Sequence, residues 1–404
     1  MKITLIAGAR PNFMKVAPII KAIKKHNGEV INGDASLNDA NGEKISYRLV
    51  HTGQHYDKNM SDTFFEELGI PAPDVNLGCG GGSQAEQTAA IMVAFEKELM
   101  EHPTDIVLVV GDVTSTMACS IVAKKLNTKV CHVEAGIRSW DLTMPEEINR
   151  MVTDSLADYM FTTSDVANRN LMRMGATLMN EGVKELRSEE VTQRVWFVGN
   201  VMIDTLLANR SRFRKPEIWD ELKLQEKQFV VMTMHRPANV DEENHLRAMM
   251  EQIIDNVHGL PVIFPIHPRT AKLFYGLWVS GAPDRAESHA GDELAKRFPN
   301  LHIVEPMGYL EFNYLVERAK AVVTDSGGIT EETTVMGVPC ITLRDNTERP
   351  ETCTVGTNEL IGTNPSAIKP ALDKLFAGEW KKGAIPELWD GHTAERIIEI
   401  LANL

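Results

Sequence analysis

The stretch DIVLVVGD, residues 105–112, is a short apolar run that ends in glycine and aspartate, and KVCHVEAG at residues 129–136 repeats that pattern. Continuous rather than alternating hydrophobicity indicates that both faces of a strand are covered. This is typical of parallel strands that have helices on each side. The two runs and the longer segment between them therefore predict an α/β fold with parallel sheets.

Comparable apolar runs recur through the chain, each followed by a longer segment with helical spacing. In the first half they are residues 3–6, 47–51, 106–110, 130–133 and 159–162. In the second half they are residues 195–198, 229–233, 262–265, 302–304, 321–324 and 340–343. About five or six strands make an ordinary sheet. Two doubly wound domains therefore fit the pattern better than one large sheet.

The length of 404 residues also favours two domains, because one hydrophobic core rarely keeps growing to that size. A polar stretch at residues 180–194 precedes the strand-like VWFVGN and marks the predicted boundary. We expect a first domain at residues 1–194 and a second at residues 195–385. In the remaining segment, residues 386–404, the apolar positions are spaced as in a helix from residue 393 onward.

Composition excludes several classes of protein. A formal net charge of −14 argues against a nucleic-acid partner, which requires a concentrated basic surface. The five cysteines form no CxxC pair, which favours free thiols in a reducing compartment over disulfides or a zinc site. No apolar stretch approaches the ~20 residues of a membrane span, and we expect a cytoplasmic protein.

Basic residues follow the first strand. Arg10 and Lys15 lie in the segment GARPNFMK, and proline early in a helix suits that position. Ligands of open parallel sheets bind beyond the carboxyl ends of the strands, near helix N-termini. The two bases would favour an anionic group there; the alternative is a pair of solvated side chains beside a tight turn.

A glycine-containing segment follows the strand at residues 321–324. In DSGGITEE, Ser326, Gly327 and Gly328 would leave backbone N–H groups exposed, so that a diphosphate could approach closely. Glu332 would then be placed to accept hydrogen bonds from a ribose. The alternative is a simple turn from strand to helix.

Acidic residues and one histidine end other strands on the same side of the sheets. Asp112 closes DIVLVVGD and could instead be a helix N-cap. Glu134, which closes KVCHVEAG, needs a partner because an unpaired acid there would be costly, and Arg138 is the alternative explanation for it. Glu146, after Pro145, could simply form a pair with Arg150 in a solvated first turn. His235 ends the strand FVVMTMH, where a histidine often has no special role.

Some familiar motifs are missing from the sequence. GCGGGS at residues 78–83 fails the dinucleotide fingerprint, and the chain contains no GxxxxGK[ST] loop, HExxH helix or GxSxG elbow. We therefore expect neither a nicotinamide cofactor nor a metal.

Nine segments, taken in order, resemble one known family. They are GARPNFMKVAPI, TGQHYDKNM, GDVTST, HVEAGIRS, PEEINR, VGNVMIDTL, MHRPAN, DSGGITEE and RDNTERPE. Together they resemble the non-hydrolysing UDP-N-acetylglucosamine 2-epimerases across essentially the whole chain. The resemblance implies a GT-B-like fold, in which two Rossmann-type domains face each other across a cleft and the last helix returns to the first domain.

The resemblance also implies a reaction and roles for the residues. Members interconvert UDP-N-acetylglucosamine and UDP-N-acetylmannosamine through 2-acetamidoglucal and UDP, without a cofactor, and the family suggests a homodimer. Asp112, Glu134 and Glu146 become the acid–base candidates, with His235 against the UDP phosphates. The residues that would bind nucleotide and sugar are Arg10, Lys15, Ser326, Gly327, Gly328, Glu332 and Arg349.

The chain departs from the pattern of better-known bacterial members at Pro237 and in QHYDKNM, residues 54–60. In the family these regions contribute to a second, activating substrate site, so we do not predict that site here. Alternative functions are an epimerase of a UDP-diacetamido-uronic acid, a hydrolysing relative that releases free sugar, a GT-B glycosyltransferase and a non-catalytic sensor. Three carboxylates weigh against the transferase, because sugar transfer needs no proton exchange at C2.

Overall fold

The computed structural model describes residues 1–29, 43–54, 68–179, 193–266, 274 and 294–404. Tertiary contacts divide the chain into two units, one formed by Met1–Asn209 with Glu387–Leu404 and the other by Arg210–Pro386. Each unit contains one parallel sheet with helices between its strands, as the apolar runs predicted. Within the described part of the chain, no helix combines the length and hydropathy needed to cross a membrane.

The first unit contains an eight-stranded sheet in the order β3-β2-β1-β4-β5-β6-β8-β7. Its strands are β1 Lys2–Ala7, β2 Ser46–His51, β3 Val75–Asn76, β4 Ile106–Val110, β5 Lys129–Ala135, β6 Tyr159–Thr162, β7 Thr177–Leu178 and β8 Arg194–Phe197. The helices that follow them in the chain are α1 Arg10–His26, α2 Gln84–Glu101, α3 Thr114–Lys125, α4 Pro145–Leu156, α5 Asp165–Arg173 and α6 Val201–Asn209. The strand order reverses between β1 and β4, and such a switch point opens a crevice beyond the ends of the strands.

The second unit contains a six-stranded sheet in the order β11-β10-β9-β12-β13-β14. Its strands are β9 Val230–Thr233, β10 Val262–Pro265, β11 Leu301–Val304, β12 Ala321–Thr324, β13 Cys340–Thr342 and β14 Asn358–Leu360. The helices are α7 Glu217–Glu221, α8 Pro237–Val240, α9 Glu243–Asn256, α10 Tyr309–Arg318, α11 Gly327–Met336, α12 Pro350–Thr354 and α13 Ile368–Phe376, with single 3-10 turns at Arg210–Arg212 and Pro365–Ala367. Here the switch point lies between β9 and β12.

Both faces of the second sheet are buried, which explains why its strands are apolar without alternation. Val230 and Met232 pack into one apolar cluster, whereas Val231 and Phe229 pack into another. Successive side chains of a strand point to opposite faces. The two clusters are therefore the cores on the two sides of the sheet.

The predicted domain boundary after residue 194 differs from the structure. The run at 195–198 was expected to open the second domain, but β8 pairs in parallel with β6 and β7 in the first sheet. Tertiary contacts place the division after Asn209. Most of the polar stretch that suggested the earlier boundary lies outside the described residues.

The last helix, α14 Thr393–Ala402, belongs to the first unit. The buried carboxylate of Asp204 accepts hydrogen bonds from the backbone N–H groups of Thr393 (3.1 Å) and Ala394 (2.7 Å). The indole N–H of the buried Trp389 donates to the Thr163 carbonyl at 2.9 Å. Asp204 therefore satisfies two of the N–H groups that a helix leaves open at its N-terminus.

Replacing Asp204 by alanine should loosen α14. The two N–H groups would lose their acceptor, and a lost cap costs about 1–2 kcal/mol. We expect amide hydrogen exchange over residues 393–402 to become faster by the factor that this loss of free energy implies. Asp165→Ala is the matched control, because its ion pair with Arg169 is exposed and should contribute less than about 0.5 kcal/mol. Unchanged protection in the Asp204 variant would contradict the capping role.

Candidate active site

The turn after β1 is fixed to the end of β4 by Asn12. Its side-chain oxygen accepts hydrogen bonds from the N–H groups of Gly8 (3.0 Å) and Ala9 (2.9 Å), and its Nδ2 donates to the Val110 carbonyl at 3.0 Å. Asn12 is buried in the first turn of α1. The start of α1 is therefore held at the switch point of the first sheet.

Lys15, one turn further along α1, forms a buried ion pair with Glu134. Its Nζ lies 2.7 Å from each carboxylate oxygen of Glu134, and the two side chains are only 9% and 2% exposed. A Cβ atom on Gly111 would lie 2.9 Å from the same Nζ, so the close approach requires glycine there. Arg138, the partner suggested by the sequence, pairs instead with Asp154 at 2.7 Å.

Glu134 occupies an irregular position in β5. The register with β6 shifts between Val133 and Ala135, so Glu134 is the extra residue of a β-bulge, and its φ is +75°. Positive φ is unfavourable for a residue with a side chain, and bulges of this kind re-aim side chains next to active sites. The bulge therefore presents the Glu134 carboxylate to Lys15 at the end of the strand.

Asp112 forms an ion pair with the buried guanidinium of Arg150. It is not a helix N-cap, because α3 begins at Thr114 and Val113 occupies the cap position. Nδ2 of Asn149 donates to the backbone carbonyl of Asp112 at 2.9 Å. Helix α4 thus holds both the side chain and the backbone of Asp112.

The buried partner of Arg150 in its own helix is Glu147, not Glu146. Nη2 of Arg150 lies 2.6 Å from Oε2 of Glu147, which also accepts a hydrogen bond from the Ser139 N–H at 2.9 Å. Burial opposes ionisation of Glu147, but the Ser139 N–H and the Arg150 guanidinium outweigh it and lower the pKa. The Glu146 side chain is exposed in the first turn of α4. Arg150 therefore pairs with Glu147 and not, as the sequence suggested, with Glu146.

In the second unit, the residues after β12 form an open helix N-terminus. Ser326 is the cap residue of α11, and Gly327 and Gly328 form its first turn. A Cβ atom on Gly328 would have no atom of another residue within 4 Å, and one on Gly327 would make only ordinary contacts. Neither glycine has a positive φ. Their role is therefore to leave room above backbone N–H groups that favour an anion.

His235 follows β9 and pairs with Asp325 at the end of β12. Its Nδ1 lies 2.7 Å from the fully buried Asp325 carboxylate, while the histidine side chain is 64% exposed. Asp325 also accepts from the Arg236 N–H (2.9 Å) and from Nδ2 of Asn239 (3.0 Å). Burial opposes ionisation of Asp325, yet these donors, His235 foremost, lower its pKa to about 2. Asp325 thus orients the imidazole at the switch point of the second sheet.

Glu332 and Arg349 are buried and paired within the second unit. Oε1 of Glu332 accepts a hydrogen bond from the Tyr309 hydroxyl at 2.8 Å, and the Arg349 guanidinium pairs with Glu331. Burial raises the pKa of Glu332 to about 7, against the opposing effect of the Tyr309 hydroxyl. Glu332 can therefore change its protonation state near neutral pH.

The predicted residues fall into two sets, each at the switch point of its own sheet. Lys15, Asp112 and Glu134 lie together in the first unit, and Arg10 is exposed at the start of α1. His235 and the segment Ser326–Gly328 share Asp325 as their neighbour in the second unit. The sequence interpretation missed the supporting residues Asn12, Glu147, Asp325 and Tyr309, and it gave Arg150 a different partner. Only the position of Asp325 at a strand end and that of Asn12 in the first turn of the following helix could have drawn attention to them.

The profile of the family described as "UDP-N-acetylglucosamine 2-epimerase" matches residues 38–402. The chain belongs to this family. A UDP-N-acetylglucosamine 2-epimerase of Methanocaldococcus jannaschii is 37% identical to it over 99% of both chains. A UDP-2,3-diacetamido-2,3-dideoxy-D-glucuronate 2-epimerase of Pseudomonas aeruginosa is 34% identical over the full length of both.

A crystal structure of the M. jannaschii enzyme in complex with UDP-GlcNAc and UDP has a similar fold. It superposes with a TM-score of 0.79 at 36% identity and covers both chains completely. This similarity confirms the predicted GT-B-like α/β fold. The chain is accordingly an enzyme of an isomerase family.

The raised pKa of Glu332 predicts a pH-dependent stability of the second unit. Its pKa rises from 4.5 in the unfolded chain to about 7 in the folded protein. Below pH 4.5 the proton bound by Glu332 contributes its full stabilisation to the folded protein. This stabilisation, roughly 3 kcal/mol in total, is lost as the pH rises through about 7.

Glu332→Gln should remove this dependence, because glutamine keeps the shape without the titration. Melting curves of both proteins between about pH 5 and pH 8 should show the wild type losing stability relative to the variant as the pH rises. A difference in melting temperature that stays constant with pH would contradict the buried, titrating Glu332.

Proposed function

We propose that the protein reversibly inverts C2 of UDP-N-acetylglucosamine to give UDP-N-acetylmannosamine, by elimination of UDP to 2-acetamidoglucal and its re-addition. The observation that supports this most is the arrangement of Asp112 and Glu134. Two carboxylates, each paired with a cation, lie at the switch point of the first sheet in a chain of the 2-epimerase family. Their chemistry suits proton transfer at a sugar carbon.

The reaction requires prior departure of UDP because the C2 proton is not adjacent to a carbonyl group. A carboxylate could not remove it at a useful rate from the intact substrate. When the bond from C1 to the diphosphate oxygen breaks, the electron pair leaves with UDP. The oxocarbenium-like ring then acidifies C2, and loss of its proton forms the C1–C2 double bond. Protonation on the opposite face and return of UDP complete the inversion.

Acid–base groups on both faces of C2 follow from this route. Asp112 and Glu134 are the first candidates, because each carboxylate lies at the end of a strand and is paired with a cation, Arg150 or Lys15. Glu146, exposed at the start of α4, is the third candidate. The group that takes the C2 proton lies on one face of the ring, and for inversion the new proton must come from a second, already protonated group on the opposite face.

The departing diphosphate needs hydrogen-bond donors that are already in place. The open N-terminus of α11 at Ser326, Gly327 and Gly328 offers backbone N–H groups, and the exposed imidazole of His235 lies beside it. We propose that these groups bind the phosphates, that Glu332 and Arg349 contact the rest of the nucleotide, and that Arg10 and Lys15 in the first unit also bind the substrate. The M. jannaschii relative was crystallised with UDP-GlcNAc and UDP, which supports this class of ligand.

A second candidate substrate is a UDP-2,3-diacetamido-2,3-dideoxy-glucuronic acid. The P. aeruginosa relative named for that substrate is almost as similar to the chain as the M. jannaschii one. Both reactions invert C2 by the same chemistry. Turnover of the two UDP-sugars by the same preparation decides between them.

The proposed reaction predicts deuterium at C2. In D2O with UDP-N-acetylglucosamine alone, we expect proton NMR to show exchange at C2 and a mannosamine-configured sugar still bonded to UDP. Asp112→Asn should reduce the exchange by about 10²–10⁴-fold, the usual contribution of a general base, with little loss of UDP binding. Asp165→Asn, on an exposed surface, is the matched control and should retain full activity.

Other outcomes would contradict the proposal. Release of free N-acetylmannosamine would indicate a hydrolysing enzyme, and absence of C2 exchange together with sugar transfer to an added acceptor would indicate a transferase. Full exchange in the Asp112 variant would remove that residue from the mechanism.

We also propose that the protein is a homodimer, as the family suggests. Val93 and Met100 on α2 and Ile148 on α4 are large apolar side chains that are 57%, 65% and 48% exposed, and both helices pack against α3. An exposed apolar face of this kind is typical of an interface. Val93→Glu combined with Met100→Glu should convert a dimer into a monomer in sedimentation experiments; a wild-type monomer would contradict the proposal.

The cytoplasmic location stays a prediction. All five cysteines are free thiols, and Cys79, Cys119, Cys131 and Cys340 are buried. Buried free thiols suit a reducing compartment.

A further inference from the structure

His132, in β5, lies buried between an acid and a backbone carbonyl. Its Nδ1 lies 2.6 Å from Oδ1 of Asp154, and its Nε2 lies 2.8 Å from the carbonyl oxygen of Gly111. Both the histidine and the aspartate are completely buried. His132 touches none of the groups proposed to contact the substrate, yet its second partner immediately precedes Asp112.

Both ring nitrogens of His132 therefore face acceptors. A carbonyl oxygen accepts only, and the Asp154 carboxylate accepts as long as it is ionised. Asp154 also pairs with Arg138 at 2.7 Å and accepts from the Gly136 N–H at 3.0 Å, so its oxygens are already surrounded by donors. Burial opposes ionisation of Asp154, but the charges of His132 and Arg138 lower its pKa. Only the imidazolium form carries a proton on both nitrogens.

Residues of β5 form hydrogen bonds with both the N–H group and the carbonyl group of Gly111. Its N–H donates to the Val133 carbonyl at 3.1 Å, and its own carbonyl accepts from His132. Its φ of +67° turns the chain sharply just before Asp112. The orientation of the Asp112 backbone therefore depends on where the Gly111 carbonyl points.

Asp154 extends the same network to Glu134. The Gly136 N–H that it accepts lies two residues after the bulge at Glu134. One buried carboxylate thus anchors the segments that carry both acid–base candidates. A buried charge of this kind would be costly without its partners, and His132, Arg138 and the Gly136 N–H are those partners.

We propose that His132 is a positioning residue for the epimerisation: held at Nδ1 by Asp154, it donates a hydrogen bond from Nε2 to the Gly111 carbonyl and so fixes the direction in which Asp112 faces the substrate. This inference rests on the proposed function. His132 contributes through geometry and does not exchange protons with the sugar.

The first test observes the protonation state directly. With nitrogen-15-labelled histidine, and the His132 signals assigned by their loss in His132→Gln, we expect Nε2 to carry the proton that is donated to the Gly111 carbonyl. A free lone pair on Nε2 in the folded protein would overturn the proposal. This measurement needs no substrate.

The second test compares two replacements of similar length in the full-length protein. His132→Met removes the donor to Gly111, whereas His132→Gln retains an amide N–H that reaches the same carbonyl. We expect His132→Met to lower kcat by about 10²-fold while KM for UDP-N-acetylglucosamine changes by less than about twofold, because a small misplacement of a catalytic group affects the reaction step. The kcat of His132→Gln should be about tenfold higher than that of His132→Met.

Equal kcat values for the two variants, whether high or low, would overturn the positioning role. If His132→Met fails to fold, the nitrogen-15 measurement decides. Failure of the proposed function is distinguishable, because the wild-type protein itself would then show no deuterium exchange at C2 while the His132 signals would still report the geometry.

Discussion

A carboxylate at the end of a buried parallel strand is tolerated only when a cation or several N–H groups compensate its charge. This constraint governs both sheets of the protein. In the first, Glu134 pairs with Lys15 and Asp112 pairs with Arg150. In the second, Asp325 is compensated by His235 and neighbouring N–H groups. Each of these strand ends is therefore held in place by a specific ion pair or set of hydrogen bonds.

The cations that pair with these acids determine which helices the site requires. Helix α1 brings Lys15, and α4 brings Arg150 and Asp154, so one short helix contacts both Asp112 and His132. Lys15 and Glu134 are buried together, so removal of either partner leaves an uncompensated buried charge, which typically costs about 3–5 kcal/mol; Arg150 is equally buried, beside the 25% exposed Asp112. The stability of these strand ends and the proposed chemistry therefore depend on the same ion pairs.

The apolar strands were predictable from the sequence, because they depend on local patterns. Apolar runs define the strands, and parallel pairing brings their carboxyl ends to one edge. The run at 195–198 was assigned to the wrong half because hydrophobicity does not specify a pairing partner. The short strands β3, β7 and β14 contain polar residues and give no such signal.

The partners of the acids were not predictable, because pairing depends on tertiary structure. Glu134 and Lys15 are 119 residues apart, whereas sequence proximity suggested Arg138. In the first turn of α4 the choice between Glu146 and Glu147 depends on which side of the helix is buried, and spacing alone suggested the wrong neighbour for Arg150. The resemblance to a family supplied the roles of Asp112 and Glu134 but not the network of His132 and Asp154 behind them.

The central claim is that the ionised acids remove a proton only after the diphosphate has left C1. An oxygen-isotope label placed in the bridge between C1 and the β-phosphorus tests this directly. We predict that the label moves into the non-bridging positions of the β-phosphate in recovered UDP-sugar, at a rate no slower than proton exchange at C2. Exchange at C2 with the label still confined to the bridge would contradict the account.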